Sequence, residues 1–131
     1  MPYDLELIHE LCQEIGLHSV ARSSEELAIE LEDEVVLLIV NSANENDCLI
    51  TFDGNDKWHT HDDFMFSDAH GYNTEMTYFD VIAGIPTGEI LVAELWKNGR
   101  LDDRWLVHRD FVDEFRYMDE GDEIRVRRIS F

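Results

Sequence analysis

A histidine-rich segment in the middle of the chain contains the residues best suited to metal chemistry. His59, His61 and Asp63 occur in the pattern H-x-H-x-D. In an extended segment alternate side chains point to the same side, so these three would project together. Two neutral imidazoles and a carboxylate suit Zn²⁺, or Fe²⁺ when coordination positions stay open. Such a set, completed by His70 or His108, would suit a small metal-dependent hydrolase.

The same segment resembles part of the H-x-H-x-D-H signature of metallo-β-lactamase-like hydrolases. The resemblance ends at Phe64, which stands where the signature has its last histidine. The chain is also too short for the αββα sandwich of that family. We therefore expect no metal and no cofactor. We interpret the histidines as loop residues bonded to nearby acids, which would raise their pKa values and make the loop respond to pH at about 6–7.

Other catalytic signatures are absent from the sequence, which has no G-x-S-x-G, Walker, G-x-G-x-x-G or C-x-x-C motif. Cys12 lies one helical turn from His9, but Glu10 and Glu14 would oppose a thiolate there. Cys12 and Cys48, the two cysteines, lie among apolar neighbours and are predicted to be buried free thiols. The sequence therefore favours a protein that is not an enzyme.

Net charge is the most unusual property of this sequence. Thirty Asp and Glu against ten Lys and Arg give a formal charge of −20. Residues 1–96 contain 21 of these acids and only two bases, Arg22 and Lys57, whereas residues 97–131 contain nine acids and eight bases. Such a surface repels nucleic acids and anionic membranes and attracts basic proteins. We therefore expect a basic protein partner, no direct binding of nucleic acid and no membrane binding.

Acidic residues around an exposed aromatic side chain are typical of a surface that binds a basic protein tightly. Aromatic residues cluster around the histidine-rich segment, where most are expected in the core and a minority on the surface. The candidate partner-binding residues, chosen from the region of uncompensated negative charge, are Asp62, Asp63, Asp68, Glu75, Glu30, Glu32, Trp58 and Tyr72.

In size, acidity and lack of catalytic motifs the chain resembles the small acidic immunity proteins of bacterial polymorphic-toxin and contact-dependent inhibition systems. The resemblance implies a cognate, basic toxin domain of the nuclease type as partner. It also implies that acids of this chain cover or distort the toxin's active site and replace the substrate phosphates. Two alternatives stay open: the metal-dependent hydrolase described above, and an acidic phage-type adaptor or DNA mimic.

The order of predicted elements indicates a single α+β domain over residues 1–131. A mostly antiparallel sheet of about six strands would have an N-terminal helix and two short helices packed on it. The start of the chain lacks the basic and apolar regions of a signal peptide, and the longest apolar run, Val35–Val40, is too short to span a bilayer. We therefore expect a cytoplasmic protein.

Periodicity and turn residues predict the individual elements. Leu5, Ile8 and Cys12 repeat at helical spacing before Gly16, which ends the first helix. The predicted strands are Ser19–Arg22 (a weak candidate), Leu27–Glu32, Val35–Val40, Cys48–Phe52, Ile90–Trp96, Leu101–Val107 and Glu123–Ile129. The predicted short helices are Thr77–Gly84 and Phe111–Tyr117. The stretch Lys57–Asn73 has no clear period and is predicted to be irregular.

Asn98-Gly99 is the strongest short-range hairpin signal in the chain. A two-residue turn would place Glu94 opposite Asp103, which is an unfavourable pair. A register shifted by one residue would place Arg104 opposite Glu94 instead. A hairpin is therefore predicted here, with its loop type left open.

Overall fold

A computed structural model describes residues 3–32, 34–42, 48–61, 63–67, 72–110 and 120–129. Its elements are α1 (Leu5–Ile15), β1 (His18–Ser23), β2 (Glu26–Glu32), β3 (Val35–Val40), β4 (Leu49–Phe52), β5 (Asn55–Thr60), β6 (Phe64–Ser67), β7 (Asn73–Met76), α2 (Tyr78–Ala83), β8 (Ile90–Lys97), β9 (Arg100–His108) and β10 (Asp122–Arg127). Neither of the helices in this part of the chain is long and apolar enough to cross a membrane.

The strands form three sheets, and every pairing among the described residues is antiparallel. One sheet has the order β1-β2-β3-β4-β5, a second has the order β10-β8-β9, and β6 with β7 makes a two-stranded ribbon. The α+β class with mostly antiparallel sheets is therefore confirmed. The predicted number of about six strands was too low, since ten strands are present in the described chain. The second predicted short helix, Phe111–Tyr117, lies outside the described residues.

The missed strands come mainly from the stretch that was predicted to be irregular. In β6, Phe64 and Phe66 are buried and Met65 is exposed, so three apolar residues in a row concealed the alternation. In β5, Lys57 and His59 face solvent, and the strand is held by pairing with β4 rather than by an apolar pattern of its own. Here long-range pairing determined the structure, and local periodicity did not reveal it.

The first helix ends at Gly16, as its sequence predicts, and begins at a capping aspartate. The side chain of Asp4 accepts a hydrogen bond from the backbone N–H of Leu7 at 3.0 Å, which caps the helix N-terminus. Gly16 ends it in the left-handed region, with φ of 83°. Asn41, just after β3, holds the residue before the cap, because its amide bonds both the backbone N–H and the carbonyl of Tyr3 at 2.8 and 2.7 Å. The start of α1 is therefore fixed against the five-stranded sheet.

A continuous hydrophobic core lies on one face of the five-stranded sheet. Buried side chains of β2, β3 and β4 meet the inner sides of α1 and α2, the two phenylalanines of β6, and residues of β8 and β9. Cys12 and Cys48 are both free and both buried in this core, as predicted. A smaller cluster on the three-stranded sheet contains Trp105, with Trp58 packed against it.

A buried ionic network joins the two larger sheets. Glu94 accepts hydrogen bonds from Nε and Nη2 of Arg104 at 2.8 and 2.7 Å, and from Nη2 of Arg127 at 3.0 Å. The side chains of Glu94 and Arg104 are only 3% and 7% exposed. Arg127 also pairs with Glu32 of β2 at 3.1 Å, while the Arg104 guanidinium lies 5.7 Å from the ring centroid of Phe52 in β4. Two arginines and two glutamates thus make a neutral set across the gap between sheets.

The hairpin of β8 and β9 has both a two-residue turn and Arg104 opposite Glu94, a combination that an uninterrupted ladder would not allow. Asn98 and Gly99 form a two-residue turn with φ of 53° and 79°, the signs that a type I′ turn requires. A register shift then follows within the ladder, so that Glu94 pairs with Arg104. The extra residue in β9, Asp102, binds Nζ of Lys57 at 2.7 Å, which links β9 to β5.

Candidate functional site

His59 of β5 and His61, which directly follows this strand, lie close together. Their rings, in His59 and His61, meet edge-to-face with centroids 4.9 Å apart. His61 Nδ1 lies 2.9 Å from the carbonyl oxygen of Cys48, so a backbone group takes the place of the acidic partner expected from the sequence. Within the described part of the chain no three His, Cys, Asp or Glu side chains converge in a way that would hold a metal ion. His70, one of the two residues predicted to complete the set, lies outside the described residues.

Three of the predicted partner-binding residues lie on the two-stranded ribbon. Glu75 of β7 is exposed, Asp63 immediately precedes β6 and is exposed, and Tyr72 immediately precedes β7. Tyr72 is 71% exposed. Asp62 and Asp68, which were predicted with them, are outside the described residues.

One residue of this ribbon was missed by sequence reasoning. Met65 is 56% exposed and lies directly opposite Glu75 in the ladder. The signal was present, because in a strand with buried Phe64 and Phe66 the residue between them must face outward. We call the group Asp63, Met65, Tyr72 and Glu75 the ribbon surface. It combines exposed apolar side chains with acids.

The other acidic candidates lie elsewhere, on β2. Glu30 is exposed and its carboxylate lies 3.7 Å from Nε2 of His18 on the neighbouring strand. Glu32 is turned toward Arg127 in the ionic network, so its charge is neutralised within the molecule. The structure therefore does not bring these two residues into the ribbon surface.

Trp58 contributes mainly to the core. Its ring is half-buried and lies 5.8 Å from the ring centroid of Phe52 and 5.9 Å from that of Phe64. It also packs against the small cluster around Trp105. Most of its surface is thereby unavailable to a partner, in contrast to Tyr72.

A row of glutamates on α1 forms a second acidic surface that sequence reasoning did not select. Glu6, Glu10 and Glu14 are all exposed and follow one another at four-residue steps, so they lie along one side of the helix. No described lysine or arginine forms an ion pair with any of them. We call these three residues the helix ridge. The four-residue spacing was the signal that could have identified it.

The cations of this chain are largely committed to other acids. Of the nine lysines and arginines in the described ranges, seven form ion pairs: Arg22, Lys57, Lys97, Arg104, Arg109, Arg125 and Arg127. Their partners are acids of the strands and turns, such as Asp53 and Asp122. The carboxylates of the helix ridge and the ribbon surface are among those that no described lysine or arginine pairs with.

Tyr3, just before α1, contacts two other elements of the fold. Its ring packs edge-to-face on Tyr78 at the start of α2, with centroids 4.9 Å apart. Its hydroxyl lies 3.4 Å from the carbonyl oxygen of Thr60, three residues before Asp63. Tyr3 thus ties the segment before α1 to the end of β5 and to the start of α2.

Hydrogen bonds beneath α1 connect His9, Ser19 and Cys12, whose residue types can serve as a base or as nucleophiles. His9 Nδ1 lies 2.6 Å from Oγ of Ser19, and the Ser19 hydroxyl also bonds Cys12. Burial raises the pKa of the Cys12 thiol, and the bond to Ser19 offsets only part of that rise. The thiol is kept protonated and shielded, which is the opposite of what a nucleophile needs.

We expect native Cys12 to resist alkylation. In a Cys48→Ser variant at pH 8, iodoacetamide should modify the native chain roughly a hundredfold more slowly than the urea-unfolded chain, because the folded thiol is both buried and protonated. Mass spectrometry would follow the reaction. Folding stability should hold below the pKa of the unfolded thiol, about 8.5, and fall as the pH rises above it. Equal rates in the native and unfolded chain would contradict the burial of this thiol.

The fold and these surfaces define an acidic α+β protein with two clusters of carboxylates that no described lysine or arginine pairs with. Comparison of the chain with protein-family models, with curated proteins and with solved structures found no match.

Proposed function

We propose that this chain is a protein-binding module that docks on a basic protein. The observation that carries the proposal is the helix ridge, where Glu6, Glu10 and Glu14 are exposed with no cation from the described residues paired to them. Like charges four residues apart destabilise a helix by about 0.2–0.5 kcal/mol per pair. The chain tolerates this repulsion although a single lysine would remove it, and a cationic partner surface would relieve it.

The ridge acts as one electrostatic unit. Successive glutamates are about 6 Å apart along the helix axis, from four residues at 1.5 Å each. This distance is shorter than the screening length of about 8 Å at physiological salt. A partner's basic patch would therefore be attracted by all three charges together, which raises the rate of association.

The ribbon surface supplies the apolar contacts that electrostatic attraction alone does not. Met65 is exposed opposite Glu75, and Tyr72 is exposed just before the same strand, β7; methionine and tyrosine are enriched where proteins bind one another. Desolvated aromatic anchors commonly provide much of the binding energy, while surrounding charges set specificity. Ridge and ribbon together favour a tight, specific partner over a merely solvated surface.

Within this class, we propose an immunity-type inhibitor of a basic, nuclease-type toxin. A nuclease active site is built to hold phosphates and is therefore cationic, so that a carboxylate-rich surface is complementary to it. Such a role would place the chain in the cytoplasm of the cell that is protected. Exposed carboxylates are also typical of a DNA mimic, and the capture experiment distinguishes that function from inhibition of one toxin.

We expect the immobilised chain to capture a basic protein from the native host and to inhibit it. The captured protein should elute as salt is raised, and should cleave DNA or RNA until an equimolar amount of the free chain is added. An unrelated protein of similar size and net charge serves as the control. A D63K/E75K variant should retain its fold and lose inhibition, because both changes place cations on the ribbon surface.

Two results would contradict this function. In the first, the chain retains no more basic protein at low salt than the acidic control does. In the second, it displaces DNA from unrelated DNA-binding proteins as well as it binds the captured one, which would indicate a general DNA mimic.

A further inference from the structure

A groove lies between the start of α1 and the hairpin of β1 and β2. It has a volume of about 280 Å³, and apolar side chains of Leu5, Ala21 and Leu27 form much of its lining. Glu6 on α1 and Glu26 on β2 also line it. The groove therefore combines an apolar interior with one carboxylate from each wall.

Among the described residues, no cation is bound directly to either carboxylate of the groove. Neither Glu6 nor Glu26 forms an ion pair with any described lysine or arginine. Arg22 lies close enough to Glu26 for their charges to attract each other, but its guanidinium is bound directly by Asp53 at 3.0 Å. Two negative groups flanking an apolar space make the groove complementary to a cation that has an apolar stem.

The size of the groove indicates what kind of cation fits. Sites for drug-sized molecules generally start at about 300 Å³, so this groove suits one side chain better than a whole ligand. Arginine and lysine bury their methylene stems on apolar surfaces and keep their charge at the edge. Arginine fits better, because its planar guanidinium is weakly hydrated and can donate to two carboxylates at once.

One feature of the helix works against a cation here. A helix N-terminus carries a partial positive charge of roughly +0.5. Asp4 accepts a hydrogen bond from the N–H of Leu7, and Glu6 adds a second negative charge in the first turn. These two carboxylates offset the helix dipole, so the charge of Glu26 adds to a site that is already negative on balance.

We propose that this groove binds an arginine side chain of the basic partner. The carboxylates of Glu6 and Glu26 contact the guanidinium, and Leu5 and Leu27 contact its methylene stem. This inference rests on the proposed function and names the point at which the partner is held. It places the first residue of the helix ridge at the edge of a specific pocket.

The test is an NMR titration of the full chain at low salt with the peptide acetyl-Gly-Arg-Gly-amide and, in parallel, with hexa-arginine. The same tripeptide with citrulline in place of arginine has the same shape without the charge and serves as the ligand control. We expect the arginine peptides to shift the backbone amides of Ala21, Ser23 and Glu26, and citrulline to shift none of them.

Matched variants separate the groove from general attraction. Glu6→Gln and Glu26→Gln should each weaken binding of the arginine peptides about tenfold, the scale of one charge-assisted hydrogen bond. Glu10→Gln removes the same charge from the same helix outside the groove and should weaken binding less than either groove variant, because Glu10 makes no direct hydrogen bond to the guanidinium. Ala21→Leu fills the groove without changing charge and should also abolish the localised shifts.

The outcomes distinguish the groove from the proposed function. Shifts confined to the ribbon, or equal weakening by all three glutamine variants, would overturn the groove and leave a basic partner intact. Absence of binding by any arginine peptide at low salt would count against both. A dispersed spectrum from each variant establishes that it is folded, so loss of binding cannot be attributed to unfolding.

Discussion

Replacing Glu94 with glutamine is expected to lower the free energy of unfolding by about 3–5 kcal/mol, the range found when one partner of a buried ion pair is removed. Glu94 accepts from both Arg104 and Arg127, and it is almost completely shielded from water. Glutamine keeps the shape and loses the charge. Arg104, itself buried, would then retain its positive charge without the carboxylate that compensates it.

Urea unfolding followed by circular dichroism would measure the change. Glu123→Gln is the matched control, since Glu123 pairs with Arg125 at 3.1 Å in an exposed position, and should leave the free energy of unfolding almost unchanged. A Glu94→Leu/Arg104→Met double variant should recover most of the loss, because both charges leave together. A loss below about 1 kcal/mol for Glu94→Gln would mean that water reaches the network.

Replacing Glu10 with lysine is expected to raise stability and weaken partner binding at the same time. It converts two repulsive four-residue pairs, with Glu6 and Glu14, into attractive ones, which amounts to about 1 kcal/mol. A lysine facing a basic partner surface costs several kcal/mol, so affinity at low salt should fall about a hundredfold. Thermal unfolding gives the first quantity and titration calorimetry with the captured partner gives the second.

The control for this experiment is Glu120→Lys, an equal change of net charge on the exposed turn before β10. It should change affinity far less, because it leaves the helix ridge intact. If Glu10→Lys stabilises the chain but affinity is unchanged, the ridge is a solvated surface and the partner binds elsewhere.

Local patterns in the sequence predicted a substantial part of the fold. The helix α1, the apolar strand Val35–Val40 and the hairpin at Asn98-Gly99 depend on spacing and turn residues that lie close together in the chain. The division into three sheets does not depend on such local signals. The strands β5, β6 and β7 are stabilised by pairing and burial that their own residues do not reveal. The ionic network likewise depends on Arg127 meeting Glu94 of a neighbouring strand.

The candidate site was predictable only in part for the same reason. Asp63, Glu75 and Tyr72 were chosen for their charge or aromatic character, and all three are exposed at the two-stranded ribbon. Glu32 has the same residue type as Glu30 and the same apparent strand face, yet one is paired with Arg127 and the other is exposed. Only tertiary contacts distinguish them. The groove, similarly, exists because α1 and the β1–β2 hairpin are brought together.

The shielding of the Glu94–Arg104 pair has a consequence for how this molecule responds to its ionic surroundings. Dissolved ions screen exposed charges strongly and buried pairs weakly, and net charge of one sign strains a folded chain. Added salt should therefore weaken the repulsion among exposed carboxylates and leave the buried Glu94–Arg104 pair between the sheets almost unchanged. The chain would have its highest folding stability at high salt, where its affinity for a cationic partner is lowest. Release of the partner therefore need not involve unfolding.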